Sequence, residues 1–122
     1  MYASTGDGIA RLDESDGVWR VALSLLGSGA QCLAVDSRDA DVVYAGLREG
    51  GVRRTSDGGR SWVDCALPAP GVFSVASAVD GAVYAGTEPS ALFRSDDGGE
   101  SWREVRLSGD PLGRIVALLA LD

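Results

Sequence analysis

The 122-residue chain carries 18 acidic side chains against 11 basic ones, has no histidine, and holds a formal net charge of −7. Every cation is an arginine and the carboxylates are scattered through turns, so a general phosphate-backbone binder is excluded and no nucleic-acid partner is expected. Cys32 and Cys65 have neither CxxC spacing nor histidine company, which removes the usual zinc patterns, and no apolar run approaches the roughly 18 residues of a membrane-spanning helix.

In chain order, Tyr2-Ala3-Ser4 opens a strand that returns as Val43-Tyr44-Ala45-Gly46 and Val83-Tyr84-Ala85-Gly86. A turn follows each, at Gly6–Gly8, Glu49–Gly51 and Glu88–Ser90. A third strand then carries Ile9, Val52 or Leu92 and ends at Arg11, Arg54 or Arg94. A fourth strand is expected to open at Trp19, Trp62 or Trp102. Apolar runs at Cys32–Val35, Val72–Ala76 and Ile115–Leu119 read as innermost strands, the first two followed by turns at Ser37–Asp41 and Val79–Gly81. Leu23–Ala30, Leu67–Gly71 and Leu107–Gly113 are the crossings between units.

The period is close to 40: the tryptophans at 19, 62 and 102 lie 43 and 40 residues apart, and the tyrosines at 2, 44 and 84 lie 42 and 40 apart. Four short strands per 40 residues, with 17 glycines gathered at turns, is the signature of a propeller blade, and no sustained helical period competes with it. The fold class is therefore all-β: a partial β-propeller, an arc of about three antiparallel four-stranded blades. It forms one domain over residues 1–122, with units near 1–30, 31–71 and 72–106. Residues 107–122 supply the first strand of a further or closing blade.

The turn between third and fourth strands is the most specific feature. GGVRRTSDGGRSW at Gly50–Trp62 recurs as SALFRSDDGGESW at Ser90–Trp102 and in degenerate form as GIARLDESDGVW at Gly8–Trp19. Asp57 is placed to accept N–H groups of its own turn, Thr55 to add a hydroxyl bond, Gly58 and Gly59 to supply backbone freedom, and Trp62 to lay an apolar plate under it. Ser95, Asp97, Gly99 and Trp102 stand at the same offsets. In the first copy only Trp19 keeps its place, so its turn is expected to be less well braced.

This S/T-x-D-x-G-x-x-W pattern resembles the Asp-box, or BNR repeat, of sialidases, xyloglucanases, sortilin-type receptors and photosystem assembly factors. The resemblance runs through three repeats and nearly the whole chain. It implies that Thr55, Asp57, Gly59 and Trp62, with Ser95, Asp97, Gly99 and Trp102, brace the outer edge of a blade. The same residues read as a metal or sugar site fail on chemistry, since one carboxylate among glycines cannot fill a calcium shell. No metal or other cofactor is called for.

Arg11, Arg54 and Arg94 could converge on an acidic substrate, but their place before the turn favours stacking on a tryptophan or pairing with a turn aspartate. Glu88 and Asp110 could form a carboxylate pair of the glycosidase type, although 18 acidic residues supply chance pairs freely. A sialidase-like enzyme would also bring an Arg-Ile-Pro motif and a nucleophilic tyrosine. The motif is absent, and all three tyrosines are absorbed by the repeat.

The expected function is a non-catalytic binding or assembly scaffold for a protein or glycan partner, the alternative being a piece of a sialidase- or xyloglucanase-like hydrolase. As written, the chain reads as cytoplasmic. Its cysteines are expected as buried free thiols, with a disulfide as the alternative. Three blades fall short of the usual ring of roughly four to eight, so either a homodimeric six-blade ring or a longer propeller chain is expected to complete it.

Overall fold

The computed structural model describes residues 1–88 and 91–105. Among them are eleven strands and no helix: β1 (Tyr2–Ser4), β2 (Ile9–Ser15), β3 (Val18–Ser24), β4 (Ala30–Val35), β5 (Val43–Leu47), β6 (Gly51–Thr55), β7 (Val63–Asp64), β8 (Gly71–Ser77), β9 (Val83–Glu88), β10 (Ala91–Ser95) and β11 (Arg103–Val105). They form three antiparallel sheets, ordered β1-β2-β3, β4-β5-β6-β7 and β8-β9-β10-β11. The chain is thus an all-β partial propeller whose first sheet lacks, among the described residues, the innermost strand that β4 and β8 supply to the others. The Leu107–Gly113 crossing, Asp110 and the Ile115–Leu119 strand lie outside the described residues.

Each sheet meets the next across an apolar seam. At the first seam Ile9 packs with Ala30, Ala45 and Leu47, and with the half-buried Tyr2, Leu33 and Trp62. At the second, Tyr44, Val52 and Cys65 pack with Val72, Val75, Val83 and Ala85, and Trp102 closes on them. Both faces of the middle sheet are therefore buried, which is why β5 shows no polar alternation: all five of its residues are buried. The Tyr-Ala-Gly signature has its cause here. A Cβ on Gly46 would stand 2.4 Å from Cys32 Sγ and 2.7 Å from Val72 Cγ1, so only glycine admits the third sheet at that point. The inner strands are also alike, since the β4–β5 and β8–β9 ladders both shift register, at Ala30/Cys32 and Val72/Ser74.

The first unit departs from the sequence reading. Trp19 does not open a strand after a degenerate box turn. β2 and β3 instead run on as one hairpin closed by Asp16 and Gly17 at φ 52° and 79°, with Ser15 paired to Val18 and Glu14 to Trp19. Asp-Gly is the preferred pair for a two-residue type I′ turn, whose twist matches that of the strands. That local preference overrides the 43-residue repeat offset. β3 extends to Ser24, so the crossing narrows to residues 25–29. In the other two units the fourth strand begins one residue after the tryptophan, at Val63 and Arg103; β7 is only two residues long, and β11 runs to Val105, the last described residue.

Candidate functional site: the two seams

Each Gly-Gly turn is tied by its own side chains. The Thr55 hydroxyl donates to Asp57 Oδ1 at 2.7 Å and accepts the Gly59 amide at 2.9 Å. Asp57 Oδ1 also accepts the Ser61 amide at 2.9 Å, and its Oδ2 accepts the Ser61 hydroxyl at 2.6 Å. The second turn repeats this: Ser95 Oγ donates to Asp97 Oδ1 at 2.8 Å and accepts the Gly99 amide at 2.8 Å, while the Ser101 amide and hydroxyl both donate to Asp97. Bonds to the ionised form favour it. The Ser61 hydroxyl, then the Ser61 amide and the Thr55 hydroxyl, hold the Asp57 carboxyl well below the usual carboxylate range. The equivalent bonds, Ser101 hydroxyl first, bring Asp97 down to about 2. Both carboxylates are thereby committed to their turns as anions. The serine two residues after each Gly-Gly pair, Ser61 or Ser101, belongs to this network and was missed in the sequence. Its signal was its presence at the same offset in both copies.

The turns also reach across the seams, which the sequence did not reveal. Trp62 Nε1 donates to Ser24 Oγ of β3 at 3.2 Å, and Trp102 Nε1 donates to the Cys65 carbonyl, just past β7, at 2.9 Å. Each tryptophan therefore bonds to the outer strand of the preceding sheet or the residue just beyond it. The glycines sit as closely. A Cβ on Gly99 would lie 2.8 Å from Cys65 Sγ, and one on Gly58 would lie 2.0 Å from Arg11 Nη1.

The three arginines stack on tyrosines of their own sheet rather than on tryptophans: Arg11 over Tyr2 at 5.9 Å, Arg54 over Tyr44 at 5.9 Å and Arg94 over Tyr84 at 5.2 Å. Cross-strand register explains the choice, because Tyr2 pairs with Arg11, Tyr44 with Arg54 and Tyr84 with Arg94. Arg11 donates onward to the Gly58 carbonyl at 3.3 Å and pairs with Asp13 at 2.9 Å. Arg94 donates to the Tyr84 hydroxyl and pairs with Asp96 at 2.8 Å and Asp80 at 3.5 Å. The arginines do not converge: Arg54 and Arg94 bond within their own sheets, whereas Arg11 also reaches across the first seam to the Gly58 carbonyl and Asp41. Burial pushes the Tyr2 hydroxyl up despite the neighbouring Arg11, the opposite of what an activated phenolate requires.

Two clefts open where a turn approaches the preceding sheet. The first, about 490 Å³, is lined by Tyr2, Arg11, Asp13, Ser24, Gly58 and Arg60 among others. The second, about 190 Å³, lies between Arg54, Cys65, Asp97, Gly99 and Glu100. Among the described residues no group of three or more His, Cys, Asp or Glu could hold a metal ion. Glu88 ends β9 exposed, and Asp110, its proposed carboxylate partner, lies outside the described residues. Both cysteines are free, and burial pushes each thiol up to about 11. No helix among the described residues is long and apolar enough to cross a membrane.

No protein-family model and no curated protein sequence matches the chain. Solved propeller structures do. YCF48 from Cyanidioschyzon merolae is 24% identical, covering 68% of this chain and 25% of its own, with a TM-score of 0.58. The GH74 xyloglucanase from Xanthomonas campestris is 24% identical over 89% of this chain and 20% of its own, with a TM-score of 0.64. A structure titled YCF48 bound to D1 peptide is 17% identical over 80% of this chain and 33% of its own, with a TM-score of 0.58. The likeness is one of fold, and the chain spans a third or less of each of these structures.

Proposed function

We propose that this chain is a non-catalytic propeller module that binds a protein partner, and that the turns at Thr55–Trp62 and Ser95–Trp102 are Asp-boxes serving as braces between blades. The observation that carries the reading is the commitment of the polar groups at the seams. Both turn carboxylates are consumed by their own turns. Each arginine of the triplet is engaged by a tyrosine of its own sheet. Similarity to a propeller bound to a peptide supports a protein as the partner class over a glycan.

The competing reading, a piece of a glycoside hydrolase, draws support from the similarity to a xyloglucanase. Assays against aryl glycosides and xyloglucan oligosaccharides, run beside a peptide-array binding screen, separate the two. The scaffold reading expects no turnover and saturable peptide binding. Turnover that disappears when a single carboxylate is replaced would overturn it.

A further inference from the structure

The fourth strand of the second sheet is only two residues long, and a short edge strand is one of the ways soluble proteins prevent edge-to-edge pairing. β3 breaks that pattern. It is seven residues long, stands at the end of its sheet, and exposes Val18, Trp19, Val21 and Leu23 at 54–59%. Its one charge is Arg20. A fourth strand forms the outer edge of its blade, and among the described residues no strand pairs with this edge; the inference is independent of the function proposed above.

The hairpin register decides which groups face outward. Ser15 and Val18 flank a two-residue turn and exchange backbone bonds. By alternation Val18, Arg20, Ala22 and Ser24 direct N–H and C=O toward β2, whereas Trp19, Val21 and Leu23 direct theirs to the open edge. We infer that this edge pairs antiparallel with the same strand of a second copy, about a two-fold axis at Val21.

The register is self-consistent. Val21 exchanges its N–H and C=O with the partner's Val21, and Trp19 does so with the partner's Leu23, so every outward group on the strand is used. The same pairs set indole beside isobutyl on one face, a favourable cross-strand combination. Arg20 falls opposite the partner's Ala22, so like charges never face each other. Charge selects this edge too. Residues 17–35 contain no Asp or Glu, so the strand that meets its copy carries no carboxylate; the nearest, Asp13 and Glu14, lie one strand back on β2, opposite Arg20 and Trp19. A second copy therefore fits better than a foreign strand, which would need to match both the register and the apolar face.

The test is sedimentation velocity on the full chain at micromolar concentration, with Val21→Lys, Val21→Glu and their equimolar mixture. Wild type is expected at twice 12.6 kDa. Each single variant is expected to lose self-association by about tenfold or more, because like charges meet at the two-fold axis, with its far-UV circular dichroism unchanged. The mixture is expected to restore the dimer through a Lys–Glu pair. A monomeric wild type, a Val21→Lys variant that still dimerises, or a mixture that stays monomeric each overturns the proposal, the second pointing to the blade faces instead.

Discussion

Gly99→Ala isolates the coupling between a turn and the sheet before it. Gly99 has φ +88°, and an L side chain in the left-handed region costs about 1–2 kcal/mol. The new Cβ would also stand 2.8 Å from Sγ and 3.2 Å from Cβ of Cys65, which is only 4% exposed and has little room to move. Overpacking of that kind costs about 1–3 kcal/mol, so the sum is about 2–5 kcal/mol, a large share of a small domain's stability. Gly17→Ala is the internal control. Its φ is +79° and nothing lies within 4 Å of its Cβ position, so it carries only the backbone cost. Urea unfolding followed by tryptophan fluorescence measures both, provided the m-value holds. Adding Cys65→Ala to Gly99→Ala removes the sulfur and is expected to give a coupling of about 0.5–3 kcal/mol. If Gly99→Ala proves no worse than Gly17→Ala, or the double variant is simply additive, the turn does not press on the seam as described.

Trp102→Ala is expected to cost about 3 kcal/mol, the lower end for a large aromatic because the ring is only partly buried, and to leave the Cys65 carbonyl without its indole donor. Trp19→Ala, compared with wild type at concentrations where both are monomeric, should fall within about 1 kcal/mol of it, since Trp19 is 54% exposed in the single chain; thermal melts of the two variants that reverse this order would refute the ranking. Acid should act through the turn carboxylates. Their folded pKa values lie below the ordinary value near 3.8, so the unfolded chain binds more protons around pH 3. Their contribution is complete above about pH 5 and is lost progressively as pH falls through 3.8 to about 2 and below. An Asp57→Asn/Asp97→Asn variant should show a flatter stability profile over that window in urea titrations; an unchanged slope would refute the assignment.

The sequence made the strand framework readable because Tyr-Ala-Gly and the Gly-Gly turn mark the same strand positions in the second and third units. It misled at Trp19 because spacing across 43 residues was weighed above the local turn preference of Asp16-Gly17. Intra-turn bonds such as Thr55 to Asp57 were readable from residue type, since short polar side chains at turn starts bond the backbone that follows. The seam bonds were not. Trp62 to Ser24 spans 38 residues and Trp102 to the Cys65 carbonyl spans 37, and neither partner has a sequence signature of its own. The choice of tyrosine over tryptophan beneath each arginine likewise follows from cross-strand register, which only the folded sheet fixes.

The central claim, that the Gly-Gly turns are structural parts of the seams, is tested most directly by native-state hydrogen exchange at the Gly59, Ser61, Gly99 and Ser101 amides. All four donate to side chains within the turns. If the turns brace the seams, these amides open only with the sheets and exchange with the same free energy as the Ala45 and Ala85 amides of the core strands. Exchange at the rate of an unprotected surface turn, with the core strands still protected, would contradict the account.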